Sequence, residues 1–240
     1  MVISLHCLTC QISFSGDDDV HFSQESDTSH SPFEFVAGDL SLDFINTLGD
    51  RPTEHPIERL VTYADLVMWE EQGQAITSNL AHALLRLAKR TPHEAENHLA
   101  DAIALREALN AIYDAVVAGR SAPASELALL NRFLQDAARN TELKSHHGAF
   151  HWEWRHPESS LQSVLWPIVR AAAELLSSED LGFVRHCAAS TCDWFFVDRT
   201  KNHRRRWCDM KVCGNRDKAR RHYQRTRAPQ KRLRAKKPGA

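Results

Sequence analysis

A mainly α-helical bundle with a small β-hairpin, followed by a C-terminal four-cysteine zinc module, is the architecture the sequence predicts. Three observations carry this. Apolar residues recur at the helical period through the middle of the chain, with prolines, glycines and capping residues between the runs. Four of the six cysteines fall near the end as two pairs of equal spacing. Charge is also segregated. Residues 199–240 hold 17 Lys+Arg against two acids, Asp209 and Asp217, a local +15 hidden by a formal net charge of −1. The other 198 residues therefore carry −16, which predicts a basic arm on an acidic body.

At 240 residues and 42% hydrophobic content the chain can bury one good core and a small module. The expected division is an N-terminal disordered segment (1–32), a helical domain (33–178), the zinc module (179–228) and a basic disordered tail (229–240). Met1 to Gly16 is mildly apolar but lacks the charged start of a signal peptide, and no apolar run approaches the ~20 residues of a membrane helix. A cytoplasmic location follows. Cys7 and Cys10 form a CxxC beside His6, read as incidental.

The folded body starts near Phe33. Leu40, Leu42, Phe44, Ile45 and Leu48 are dense enough to suit strand or helix, and a helix beginning near Ser41 is preferred. Asp43 and Asn46 lie inside this run. They are candidates for lining a ligand pocket, with capping and internal hydrogen bonds as the alternative. Pro52 and Pro56 mark a loop, and Tyr63 to Glu71 reads as a short helix. Thr77 or Ser78 caps a helix ending at Lys89-Arg90. Thr91-Pro92-His93-Glu94 reads as a capping box with proline at the first helical position. It opens a long helix carrying Leu99, Ile103, Leu109, Ile112, Tyr113 and Val116, which Gly119 ends. Pro123 starts another. Between Glu142 and Arg155 the period changes to two, giving a hairpin with its turn at His147-Gly148 and its aromatic side on the helices. His146, His147, His151 and His156 gather there without a carboxylate to complete a metal set. A last helix spans Ser159 to Ser177, kinked or restarted at Pro167.

Cys187 and Cys192 bracket four residues, Cys208 and Cys213 four more, and fifteen separate the pairs. Two such turns joined by a strand-length linker can bring four sulfurs to the corners of one tetrahedron, which suits Zn2+. Four thiolates leave no open position for water, so the ion would be structural. Disulfides or buried thiols are the competing reading, and nothing else in the sequence points to an oxidising compartment. Trp194, Phe195, Phe196 and Val197 form the linker strand, read as the module's mini-core with Trp207. Gly214 is expected in a left-handed conformation, Asn215 as N-cap, and Ala219 and Tyr223 as the buried side of a final helix running to Arg227. Arg216, Lys218, Arg220, Arg221, Arg225 and Arg227 would cover its surface, with Arg204, Arg205 and Arg206 as a second cluster. Together with Asn215 these are the candidate nucleic-acid contacts.

The pattern C-x4-C-x15-C-x4-C-G-N-R, with Trp207 before the third cysteine and Lys218-Ala-Arg-Arg221 after the fourth, resembles the CGNR zinc finger. Gly38-Asp-Leu-Ser-Leu-Asp-Phe-Ile-Asn-Thr-Leu-Gly49 resembles the opening of the ABATE domains that precede such fingers in bacterial proteins described as stress-induced transcription regulators. The resemblance places the ligands on Cys187, Cys192, Cys208 and Cys213 and the signature on Gly214, Asn215 and Arg216. It implies a DNA-binding regulator whose helical domain senses a signal or forms a homodimer. An RNA-binding or ribosome-associated protein would use the same basic surface. An enzyme finds less support, since neither a nucleophile–base set nor an open metal motif is present.

Overall fold

The computed structural model describes residues 33–234, without the side chains of His146 and residues 227–234. The Cys7–Cys10 pair, the segment expected to be disordered and the end of the tail lie outside the described residues. Helix α1 (Leu40–Ile45) is followed by two short strands, β1 (Leu48–Gly49) and β2 (Ile57–Glu58). Helices α2 (Tyr63–Gln72), α3 (Ser78–Arg90), α4 (Pro92–Val117) and α5 (Ala124–Arg139) come next. The hairpin strands β3 (Thr141–His146) and β4 (Ala149–Trp154) lead through two 3-10 turns to α6 (Trp166–Leu176). Strands β5 (Val184–His186) and β6 (Phe195–Val197) and helix α7 (Asn215–Arg234) complete the chain. Each strand pair is antiparallel and two-stranded. None of the described helices is long and apolar enough to cross a membrane.

Helix α4 is the axis of the body, touching α1, α2, α3, α5 and β5. Its face buries Leu105, Leu109, Ile112 and Tyr113, and Ala102 at zero exposure lets neighbours approach closely. Arg106 sits on the same face, 2% exposed. Its guanidinium binds Glu58 at 2.7 and 2.6 Å and donates to the Thr47 hydroxyl at 3.2 Å. A buried charge is tolerated only with such partners, so this pair fastens β2 to α4. The opposite case lies in α2. Glu70 is fully buried and neither carboxylate oxygen has a partner. Burial alone drives its pKa well above the ordinary value, so the group is held as the neutral acid.

Several local expectations are corrected. Thr91 forms no capping box: its hydroxyl donates back to the Leu87 carbonyl at 3.2 Å. A single residue joins α3 to α4, and both its N–H and its hydroxyl are spent on the Leu87 carbonyl of the first helix, leaving no side-chain cap for the amides of the second. The full capping box is at Thr62 and Asp65, where α2 begins. The last helix of the body is shorter than expected. Residues 161–165 form a 3-10 turn, and α6 starts at Trp166 with Pro167 in its first turn, where a missing N–H costs nothing. The hairpin turn stands as expected, with φ of 51° at His147 and 83° at Gly148, the handedness that a two-residue hairpin turn requires. Its aromatic side is not covered, however. Only Trp154 packs inward, its ring 5.5 Å from Trp166, while Phe150 and Trp152 remain 69% and 59% exposed.

Candidate metal centre and nucleic-acid interface

The two cysteine turns are set by different parts of the chain. Strand β6 carries Phe195 and Phe196, both at zero exposure and part of the same apolar cluster as the helices. Asn46 clamps this strand. Its side-chain amide donates to the Phe195 carbonyl and its oxygen accepts from the Phe195 N–H, each at 2.9 Å. The Val197 N–H bonds to Ala37 O at 2.8 Å. Asp43, one turn earlier, accepts from the Val36 and Ala37 amides at 2.9 Å. Burial raises its pKa to about 7 despite those bonds. Asp43 Oδ1 and both polar atoms of the Asn46 amide are thus taken up by backbone, the internal hydrogen bonding that stood as the alternative to a ligand pocket. His186, in β5, donates from Nε2 to Asp114 of α4 (2.8 Å), and its Nδ1 lies 3.2 Å from an Asp193 carboxylate oxygen. Its ring lies against Phe195, tilted by 38° with centroids 4.1 Å apart. Burial opposes its charge, but the two aspartates prevail and raise its pKa.

This platform brings Cys187, Cys192, Cys208 and Cys213 together, with all four sulfurs within 4.8 Å of one another. Cys208 Sγ lies 3.7 Å from Cys192 Sγ and 3.6 Å from Cys213 Sγ. Four sulfurs at about 2.3 Å from a tetrahedral Zn2+ stand roughly 3.8 Å apart, so the spacing fits the ion. Backbone N–H groups of Ala189 and Cys208 bond the Cys187 sulfur, and that of Trp194 bonds Cys192. As bare thiols the four compete for protons. Hydrogen bonds from Cys192 and Cys208 hold Cys187 far below its usual value, and the bond to that sulfur pushes Cys192 and Cys208 up. A dication resolves the conflict by letting all four ionise. Among the described residues no other group of three or more His, Cys, Asp or Glu has this arrangement; the side chain of His146 lies outside them.

The second cysteine turn departs from the expected helix start. Asp209 caps it, accepting from Lys211 N and Val212 N. One π turn, Met210–Gly214, then runs straight into α7. Asn215 is therefore already helical, at φ −69° and ψ −40°, and its amide donates to Lys211 O at 2.9 Å. Gly214 does not have positive φ. A Cβ there would stand 2.5 Å from Sδ of the flexible Met210 side chain, which would have to shift to admit it. Ala219 and Tyr223 do not face the metal but are exposed. Among the described side chains of α7 the buried one is Asp217, which binds Arg220 at 2.8 Å and Arg221 at 3.0 Å. The helix also continues to Arg234, past residue 229 where a disordered tail was expected.

The candidate contacts separate accordingly. Arg204, Arg206, Arg216, Lys218, Arg220, Arg221 and Arg225 are exposed. Arg216 donates to the Thr191 hydroxyl at 2.9 Å, Arg220 to the Ser190 hydroxyl, and Arg225 reaches the Arg221 carbonyl at 3.4 Å. Arg227 has its backbone in α7 and its side chain outside the described set. Arg205 is instead half-buried and held by the fold. It donates to Trp207 O and Val36 O at 2.9 Å, also to Cys208 O, and lies 4.4 Å over the Phe196 ring. Its backbone N–H meets Asp198, a fully buried acid that also holds Thr200. Sequence reasoning missed Asp198, Asp209 and the His186–Asp114 link. Only Asp209 left a signal, an acid placed before a turn with free amides.

A four-thiolate knuckle continued into a cationic helix, seated on a helical bundle, defines a zinc-finger protein with one structural zinc. The comparisons place it further. Residues 38–179 match the ABATE family, whose description reads "Putative stress-induced transcription regulator", and residues 184–226 match the CGNR zinc finger. The chain belongs to the ABATE family, with a CGNR finger following its ABATE domain. A comparison with curated proteins gives no match.

Proposed function

We propose that this protein is a cytoplasmic, DNA-binding transcription regulator in which α7 and the Arg204–Arg206 loop form the nucleic-acid surface. The observation that carries the reading is that α7 buries only Asp217 among its described side chains while presenting Arg216, Lys218, Arg220, Arg221 and Arg225 to solvent. A helix that contributes so little to the core and concentrates positive charge is suited to phosphates. Asp217 draws Arg220 and Arg221 to one side and so orders them before contact. The acidic remainder of the chain opposes non-specific binding.

RNA is the second reading, and one observation favours it. Asn215 and Arg216, the pair best suited to reading adenine and guanine, already hydrogen-bond Lys211 O and Thr191. If those bonds persist in the complex, recognition is by shape and phosphate. Selection from sheared genomic DNA with the zinc-loaded full chain near physiological salt separates the two. Recovery of a short motif is the expected result, whereas binding without enrichment moves the assignment to RNA. With about five phosphates neutralised, log K falls against log salt with a slope of about −4 to −5. A flat response would remove nucleic acid from the account.

A further inference from the structure

The β3–β4 hairpin carries an apolar face that the body leaves open. Its register pairs Thr141 with Trp154, Leu143 with Trp152 and Ser145 with Phe150, and alternation puts all six on one side. Trp154, at the base, is packed on Trp166, whose indole N–H is anchored to Asp136 at 2.7 Å. Beyond it the stripe leaves the body: Leu143 is 54%, Trp152 59% and Phe150 69% exposed. The opposite side is polar and self-neutralising, with Lys144 between Glu142 and Glu153 at 3.0 and 3.2 Å. The exposed stripe is therefore not the inevitable surplus of a hydrophobic hairpin.

Where the stripe overhangs the bundle it roofs a groove of about 240 Å³, with Leu134, Ala138 and Ala173 as its apolar floor. The one ion pair on its wall, Arg170–Glu174 at 2.8 Å, is closed on itself. This groove suits an apolar side chain and offers nothing to a phosphate. Knob and hole thus lie on the same patch: Phe150 projects at the end of the stripe and the groove opens beneath Trp152. A surface that holds both halves of a contact is complementary to itself under a two-fold axis.

We propose that this patch is a homodimer interface, in which the hairpins of two copies of this chain pack stripe against stripe and each Phe150 enters the other copy's groove. Three side chains of this size, exposed to this degree, offer about 350 Å² per copy. The two stripes thus supply about 700 Å², and the groove walls and strand edges of both copies must add the rest of the roughly 1,200 Å² at which specific interfaces begin. Local charge does not oppose the contact, because the acids and bases of the hairpin pair with one another. The dimer would carry two α7 helices, one per protomer.

Sedimentation equilibrium of the zinc-loaded full chain, between about 1 and 100 µM, tests this directly. The expected result is a monomer–dimer equilibrium with a micromolar or tighter dissociation constant. Trp152→Glu raises that constant about thirtyfold or more, as loss of a central anchor does. Ser145→Arg, at an exposed position on the same face, has the same direction and guards against Trp152→Glu failing to fold. Both variants are checked for unchanged helical circular dichroism and zinc content. A wild-type chain that stays monomeric at the highest concentration overturns the proposal and leaves the stripe to a different partner. A dimer that survives both folded variants overturns it as well, by placing the interface elsewhere. Neither outcome bears on nucleic-acid binding, which is read separately.

Discussion

The two halves of the finger make an instructive contrast. Its first half, β5, the Cys187–Cys192 turn and β6, is built into the helical body. Phe195 and Phe196 have zero exposure, Asn46 clamps the strand, and His186 reaches α4. Its second half, the Cys208–Cys213 turn with α7, holds to the rest through the sulfurs, Arg205 and a few side-chain bonds such as Arg216–Thr191. One metal site thus joins a segment that belongs to the core to a segment that does not. The difference teaches what the zinc is for. It supplies to α7 the anchorage that apolar burial already gives to β6.

The largest effect should come from breaking the metal link. Chelation, or Cys208→Ser, removes an interaction worth roughly 10–16 kcal/mol in small zinc modules. Residues 208–234 then lose structure and nucleic-acid binding is lost with them, while α1–α6 and β5–β6 persist. Circular dichroism would show a partial loss of helix, and a collapse of the whole helical signal would contradict the contrast. Next in size, Phe195→Ala should cost about 3–5 kcal/mol, as for a large aromatic truncated in a core. Because Phe195 is shared, denaturant should unfold body and finger in one transition at lower midpoint. An unchanged body would show the two to be independent.

Asn46→Ala sharpens the same point at smaller scale. It leaves both the N–H and the C=O of Phe195 without partners in a buried seam, costing about 2–3 kcal/mol. Hydrogen exchange at β6 amides should quicken while zinc affinity falls only slightly. The smallest effect lies far from the finger. Glu70 is neutral in the folded body and ionises once unfolded, so the unfolded state releases a proton as pH rises above the usual carboxylate range. Stability therefore declines between the unfolded and folded pKa values, with Asp43, raised to about 7, adding to the decline below neutrality. Glu70→Leu should raise the melting temperature, by more at pH 7 than at pH 4. Equal gains at both values would show that Glu70 is not held neutral by the fold.

What was legible in the sequence was the periodic and the local. Helix α3 with its Thr77 cap, the apolar set from Leu161 to Leu175, the hairpin turn and the four-cysteine spacing all follow from patterns within a few residues. The rest depends on partners distant in the chain. Arg106 looks like an ordinary charged residue until Glu58 meets it, and Asn46 like a polar intruder until β6 arrives 149 positions later. Arg205 sits in a run of three arginines, and nothing local tells the one that bonds Val36 from its two exposed neighbours. Charge clustering predicts a basic surface without assigning its members. Competing short-range choices explain the misplaced caps: Thr91 had two helix ends to serve, and Asp209 was closer to the free amides than Asn215.

The shared strand has a practical consequence for anyone wishing to move this finger between proteins. Severed after residue 178, the C-terminal fragment would carry Val184, Phe195 and Phe196 into water with nothing to cover them. Such a fragment should be sticky and poorly soluble even when fully metallated. Domain grafting would need to keep the body, or to replace those three side chains with polar ones. The opposite graft is the permissive one. Lys218 and Arg225 stand exposed on α7, so those positions can be rewritten at little cost to the fold.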